Sequence, residues 1–444
     1  MRYCPRSPHP LALGFLLLLA ASLALSSCAL LPREAPEPAA PPPPPPPVAA
    51  PPEVPPPPPA PPVPEPPLVA LEPVPVEELP VFEDDLDFEG LAQAIQRSID
   101  YYLRCGRTFD IGGRRLSGAE MADGLRHFLA LAQRHPTPAD LNEAIRRDFE
   151  VYASTANGQA EGGVLFTGYY EPVIEASRTR SDKYCWPLYR RPADLLTVDL
   201  GLFRQTLAGE QIVARLDGNR LVPYYSREEI TTQQRLEGRG LEILWAADPI
   251  DVFFLQIQGS GVIRLEDGTT TRVHYAGTNG RAFRSIGRLL VDEGRLPRQG
   301  LSMQVLRRYL SEHPEEMERI LNHNESYVFF EEVDEGPLGN IWVALTPGRS
   351  IATDYRLFPG GALAWVKARK PIVAGGKIIR WKEFGRFVLN QDTGGVITGP
   401  GRVDFFWGTG PEAALAAGGM REQGKLYFLV KRRLLPEPAS LAKE

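Results

Sequence analysis

From Gly162 onward the chain is written in short runs where Val, Ile, Phe and Tyr alternate with polar residues, cut at intervals by glycine. "VLFTGYYEPVIEA", "EILWAADPIDVFFLQIQGSGVIRLEDGTTTRVHYAG", "IWVALTPGRSIATD", "GALAWVKARKPIV", "GRFVLNQDTGGVI", "RVDFFWG" and "KLYFLV" share this character. Period-two alternation puts apolar side chains on one face of a strand, and "EDG"-type turns suit tight connections. Many short, glycine-punctuated strands favour closed barrels over an open parallel sheet. Two helical stretches, 281–294 and 302–313, separate an earlier β-rich region from a later one. No fixed-period repeat underlies the pattern.

Three helices are expected ahead of this region. Leu91, Ile95, Ile99 and Tyr102 recur at helical spacing. Ser117 and Glu120 form a capping box for a second helix carrying Met121, Leu125, Phe128 and Leu129. Thr137, Pro138 and Asp140 open a third, with Leu141, Ile145 and Phe149 on one face.

The N-terminal part follows other rules. Arg2 and Arg6 precede an uncharged apolar run at 11–25, too short for a transmembrane helix of roughly 20 residues. "LSSC" follows at 25–28, in the manner of a bacterial lipobox. Residues 1–27 therefore read as a signal peptide and Cys28 as the lipidated mature N-terminus. Ala29 directs the expectation to the outer membrane, facing the periplasm of a Gram-negative bacterium. Of 45 prolines, 25 fall between residues 31 and 80, which cannot pack a core. Residues 28–83 are expected to be a polyproline tether, about 3.1 Å per residue and so roughly 150 Å over fifty residues. A lipid anchor with a stiff spacer suits a target away from the membrane, such as the cell-wall polymer.

The 444 residues, net charge −6 and 43% hydrophobic content leave room for two domains with proper cores. The acidic balance gives no reason to expect a nucleic-acid partner. After processing only Cys105 and Cys185 remain, too few for a cysteine zinc site, and both read as structural. The chain has no G-x-S-x-G or H-E-x-x-H motif and no S-x-x-K serving a penicillin-binding site, and its histidines lack ligand spacing. "GSG" at 259–261 lacks the context of a dinucleotide site. No cofactor or metal is expected.

Carboxylates in glycine-rich β structure remain: Asp354, Asp392 and Asp404, then Asp248, Asp251 and Glu171. Asp354, before a Pro-Gly turn, reads as a turn cap, and Asp392, before Thr393 and two glycines, as an Asx-type turn. "RVDFFWGTG" sets Asp404 inside an aromatic strand, where desolvation raises a carboxyl pKa toward that of a general acid. A buried structural aspartate is the other reading of that position. The "DTG" at 392–394 does not support a pepsin-like protease, which needs two such triplets; the chain has one, followed by Gly395.

"FTGYYEP" (166–172), "LQIQGSG" (255–261), "YAGTNGRAFRSIG" (275–287), "QDTGG" (391–395) and "VDFFWGTGPEAALAAGGM" (403–420) together resemble the membrane-bound lytic murein transglycosylase A family. The resemblance runs from about Asp84 to Phe428. It implies a mainly β fold with packing helices, in which a double-psi β-barrel and a second, inserted β-barrel domain flank a groove. The first would comprise 84–170 and 331–444, the second 171–330. The family's three aspartates fall on Asp354, Asp392 and Asp404, with Asp404 matching the catalytic acid and the other two supporting it.

The resemblance also implies a substrate, the glycan strand of peptidoglycan, cut between N-acetylmuramic acid and N-acetylglucosamine. One carboxylate suffices if the muramic C6 hydroxyl, and not water, closes onto C1. Groove contacts are expected from Thr167, Tyr169, Tyr170, Gln256, Gln258 and Ser260, although adjacent tyrosines on a strand point to opposite faces. Partners would be glycan strands, an outer-membrane lipid anchor and cell-wall synthesis proteins. Two rivals stay open: a muramidase-type hydrolase with Asp392 activating water, and a non-catalytic wall-binding lipoprotein.

Overall fold

The computed structural model describes residues 69–158 and 163–433. The signal segment, Cys28 and most of the proline-rich stretch lie outside the described residues. Six strands form a ring. Val164–Glu171 runs parallel to Arg402–Thr409, which pairs antiparallel with Ser350–Ala352. Ser350–Ala352 runs parallel to Lys377–Asp392, and that strand pairs with Leu363–Ala374. Leu363–Ala374 pairs with Arg421–Lys431, whose first residues return to Val164–Glu171 through Arg421↔Thr167 and close the barrel. Two parallel pairings inside a closed six-stranded ring make this a double-psi barrel.

The barrel interior is apolar and aromatic. Trp365, Phe166, Phe387, Phe405 and Phe428 are all fully buried. The three N-terminal helices pack over it: Leu91–Cys105, Gly118–Ala132 and Pro138–Asp148. The Ser117–Glu120 capping box is present, with the Ser117 hydroxyl accepting from Glu120 N and Glu120 accepting from Ser117 N. Thr137 caps the third helix, but Phe149, expected on that helix, begins the next strand.

The fold also starts earlier than expected. The tether was expected to reach residue 83, yet Leu71–Pro73 pairs with Phe149–Ser154, which extends the sheet beyond Arg421–Lys431. Phe82, 1% exposed, packs edge-on to Trp365 with ring centroids 5.1 Å apart. Asp84 then makes a bidentate pair with the fully buried Arg349, at 2.6 and 2.9 Å. Asp85 bonds Arg386 at 2.6 and 2.8 Å and pairs with Lys370. Proline content fell off before residue 83, and apolar and acidic residues with partners across the barrel took over.

The inserted domain is a six-stranded mixed sheet in the order Val328–Val333, Thr270–Thr278, Ser260–Leu265, Val173–Ser177, Glu242–Ala246 and Trp186–Tyr189. A three-stranded sheet, Leu196–Asp199, Gln211–Asp217 and Arg220–Pro223, stands beside it. "PIDVFFLQIQ" was expected to be strand and is the helix Pro249–Gln258. Asp248 accepts from Ile250 N at 2.9 Å and Pro249 occupies the first turn, both helix-starting features. Its residues are buried almost all round, so no polar face betrays a helical period. In the stretch 281–294 only Ile286–Asp292 is helical. In "IWVALTPGRSIATD" only Ser350–Ala352 is strand.

Candidate active site

Strand pairing brings the candidate acids together. In the parallel pair Thr167 sits opposite Asp404; in the next pair Asp404 faces Ala352; in the third Ala352 faces Asp392. Thr167, Asp404, Ala352 and Asp392 therefore form one rung across four strands. Neighbouring strands lie about 4.8 Å apart, so the two aspartate backbones stand roughly 10 Å apart. Both open onto a groove of about 1560 Å³ between the barrel and the inserted sheet. A space of that size suits an extended polymer better than a small molecule.

The two carboxyl groups differ in their partners. Asp404 Oδ1 accepts from the Thr167 hydroxyl, which in turn accepts from Arg402 Nη2 at 3.3 Å. Asp404 Oδ2 makes no hydrogen bond within the described residues. Burial raises the Asp404 pKa to about 6, against the opposing charge of Arg402. Asp392 is saturated by comparison. Its Oδ2 accepts from the Tyr169 phenol at 2.9 Å, and its Oδ1 from Asn340 N at 3.0 Å and Thr393 N at 2.8 Å. Burial raises its pKa to about 6 despite these donors, and the nearby Asp404 adds to the rise. The like-charge effect of the pair is thus felt at Asp392, while Asp404 is raised by burial.

Asp354 stands back from the groove, 2% exposed. Arg356 holds it with bonds of 2.9 and 2.7 Å, and Gly399 N donates to it at 2.9 Å. Burial would raise its pKa, but Arg356 and the backbone donors outweigh that and lower it. It ties down the turn that follows Asp392.

Of the expected groove residues, Tyr169, Gln256, Gln258 and Ser260 line the groove. Two of them are also committed inside the protein: Gln256 accepts from Arg227 at 2.6 Å and Gln258 from Tyr170 N at 3.0 Å. Tyr170 is a correction. It points to the opposite face, 7% exposed against Ala413 and Ala417, with its hydroxyl 3.7 Å from Met303 sulfur. Thr167 serves Asp404 and does not border the groove. Trp342, Tyr355 and Phe283 border it and were not anticipated. Among the described residues no cluster of three His, Cys, Asp or Glu side chains could hold a metal.

Cys105 carries a free thiol, 3.5 Å from Tyr102 O, so it does not pair with Cys185.

Comparison with known proteins agrees with this geometry. Residues 165–331 match the MltA specific insert domain and 349–430 match the 3D domain. The membrane-bound lytic murein transglycosylase A of Escherichia coli K12 is 30% identical over 273 residues, 60% of this chain and 66% of that protein. The Vibrio cholerae protein of the same name is 30% identical over 280 residues, 62% of this chain and 68% of its own length. The chain belongs to the membrane-bound lytic murein transglycosylase A family. The membrane-bound lytic murein transglycosylase structure from Agrobacterium tumefaciens superposes with a TM-score of 0.67 at 31% identity, covering 82% of this chain and 98% of that one. MltA from Neisseria gonorrhoeae gives 0.60 at 27%, covering 82% and 92%. All three aspartates fall within the family's 3D domain, and Thr167, Tyr169, Gln256, Gln258 and Ser260 fall within its insert domain.

Proposed function

We propose that this chain carries out the reaction its family is named for. It cleaves the N-acetylmuramic acid–N-acetylglucosamine bond of peptidoglycan as a lytic transglycosylase, with Asp404 as the single acid and base. The observation that carries this reading is the asymmetry of the carboxyl pair. Asp404 keeps an unbonded oxygen and a pKa of about 6, whereas three donors already occupy Asp392.

Protonated Asp404 gives its proton to the glycosidic oxygen as the muramic C1 gains oxocarbenium character. The leaving N-acetylglucosamine departs with that proton on its 4-hydroxyl. The muramic C6 hydroxyl then closes onto C1, and the Asp404 carboxylate takes the hydroxyl proton. Acid and product balance: the enzyme returns to its starting form, and a 1,6-anhydro ring is made without water. The C6 hydroxyl belongs to the same sugar, so its attack is intramolecular and carries the entropic advantage of proximity. Asp392, held by Tyr169 and Asn340, fixes the loop beside the acid, and Asp354 fixes the turn beyond it.

The relatives are named membrane-bound, and Cys28 is the anchor we assign, as an outer-membrane lipoprotein facing the periplasm. Digesting isolated peptidoglycan with the detergent-purified chain tests the activity. Soluble muropeptides one water lighter than hydrolysis products support it. Ordinary reducing ends would make the chain a hydrolase, and no soluble product would make it a wall-binding protein.

A further inference from the structure

Six tryptophans lie in the described chain, and Trp342 is the exposed one, at 62%. It stands on the groove wall. Its backbone has φ +56°, the left-handed region that a bulky L-residue rarely adopts. Its backbone N–H closes a turn onto Gly339 O at 2.9 Å, a bond that any residue other than proline would make. The indole therefore adds strain and exposed apolar area and gives the turn nothing in return. Strain of this kind at a cleft points to use by a ligand.

Two neighbours point the same way. His274, on the facing insert strand, meets Trp342 edge-on with centroids 5.4 Å apart, and its Nδ1 is buried without a partner. Buried polar atoms normally find a partner, so this nitrogen awaits one. The turn that carries Trp342 also carries Asn340, whose N–H donates to Asp392 at 3.0 Å. One short segment thus joins an exposed indole to the rung that holds the acid. Gly339 fixes the joint: a Cβ there would come within 2.2 Å of Gln391 O.

We infer that Trp342 and His274 form a saccharide platform, on which the apolar face of one N-acetylhexosamine ring of the glycan stacks beside the carboxyl pair. The indole would cover the C–H face of the sugar, and a ring hydroxyl or acetamido group would satisfy the imidazole nitrogen. Burial lowers the His274 pKa, which favours the neutral ring that can accept such a bond. The inference rests on the glycan-cleaving reading above.

The test uses the full chain, Trp342→Ala and Trp342→Phe, with two readouts. In steady-state cleavage of soluble glycan strands, Trp342→Ala should raise KM about tenfold, with the loss falling on KM rather than kcat, and Trp342→Phe should stay within about threefold of wild type. Calorimetric titration with chitohexaose should show the same order of affinities. An unchanged KM with unchanged chitohexaose affinity in Trp342→Ala overturns the platform, as does a loss confined to kcat. If wild type cleaves nothing, the cleavage reading fails by itself, and the titration still decides the platform. Should the alanine variant fold poorly, Trp342→Gly accepts the positive φ and replaces it.

Discussion

The Tyr169 phenol donates to Asp392 Oδ2 at 2.9 Å, on the same rung as Asp404, which lies two strands away and is held by Thr167. That bond divides the labour between two carboxyl groups of similar pKa. Asp392 is fixed by three donors, as befits the brace we propose it to be, while Asp404 keeps an unbonded oxygen for the proposed chemistry. Exchanging each for Asn should separate the roles. Asp404→Asn should lower kcat by about 10⁴-fold or more, and Asp392→Asn by roughly 10–100-fold, measured as release of soluble muropeptides.

The pH profile should follow the Asp404 proton. A general acid with a pKa of about 6 is lost as pH rises, so kcat/KM should fall about tenfold per pH unit above 6. Arg402 holds that pKa down. Arg402→Met should raise it and move the falling limb by roughly 0.5–1 pH unit to higher pH.

The same burial carries a stability consequence of definite sign. A carboxyl whose folded pKa exceeds its unfolded value destabilises the fold when ionised. The penalty is absent below about pH 4 and complete above about pH 6. Asp404→Asn should therefore unfold at higher denaturant than wild type at pH 7.5, by on the order of 2 kcal/mol, and at equal denaturant at pH 4.

Asp84 and Arg349 form the buried ion pair that ties the N-terminal segment to the barrel, and Arg349 also donates to Glu89 O and Phe387 O. Arg349→Met leaves a buried carboxylate without its cation and should cost about 3–5 kcal/mol in urea unfolding. Removing residues 1–83 should also destabilise the barrel, since it deletes the Leu71–Pro73 strand and Phe82.

Local signals were legible in the sequence where one segment decides its own structure. The Ser117–Glu120 box and the Thr137 cap act over three residues, and both appear as read. Asp404 stood out as a candidate because Phe405, Phe406 and Trp407 follow it directly in its strand. The Pro249–Gln258 helix was hidden because burial on nearly every side erased its period. The rung from Thr167 to Asp392 depends on pairings between segments roughly 40 to 240 residues apart, which no local pattern encodes. Trp342 depends on a backbone angle, and its sequence neighbours "GNIWVAL" give no hint of it.

In the mechanism we propose, Asp404 alone serves as acid and base and water takes no part. Digesting peptidoglycan in heavy-oxygen water tests it most directly, with wild type, Asp404→Asn and Asp392→Asn read by mass spectrometry. Wild type should give 1,6-anhydro products without heavy oxygen, Asp392→Asn the same products at reduced yield, and Asp404→Asn none. Heavy oxygen at C1 of reducing-end products, lost with Asp392→Asn, would contradict it and make Asp392 the base of a hydrolase.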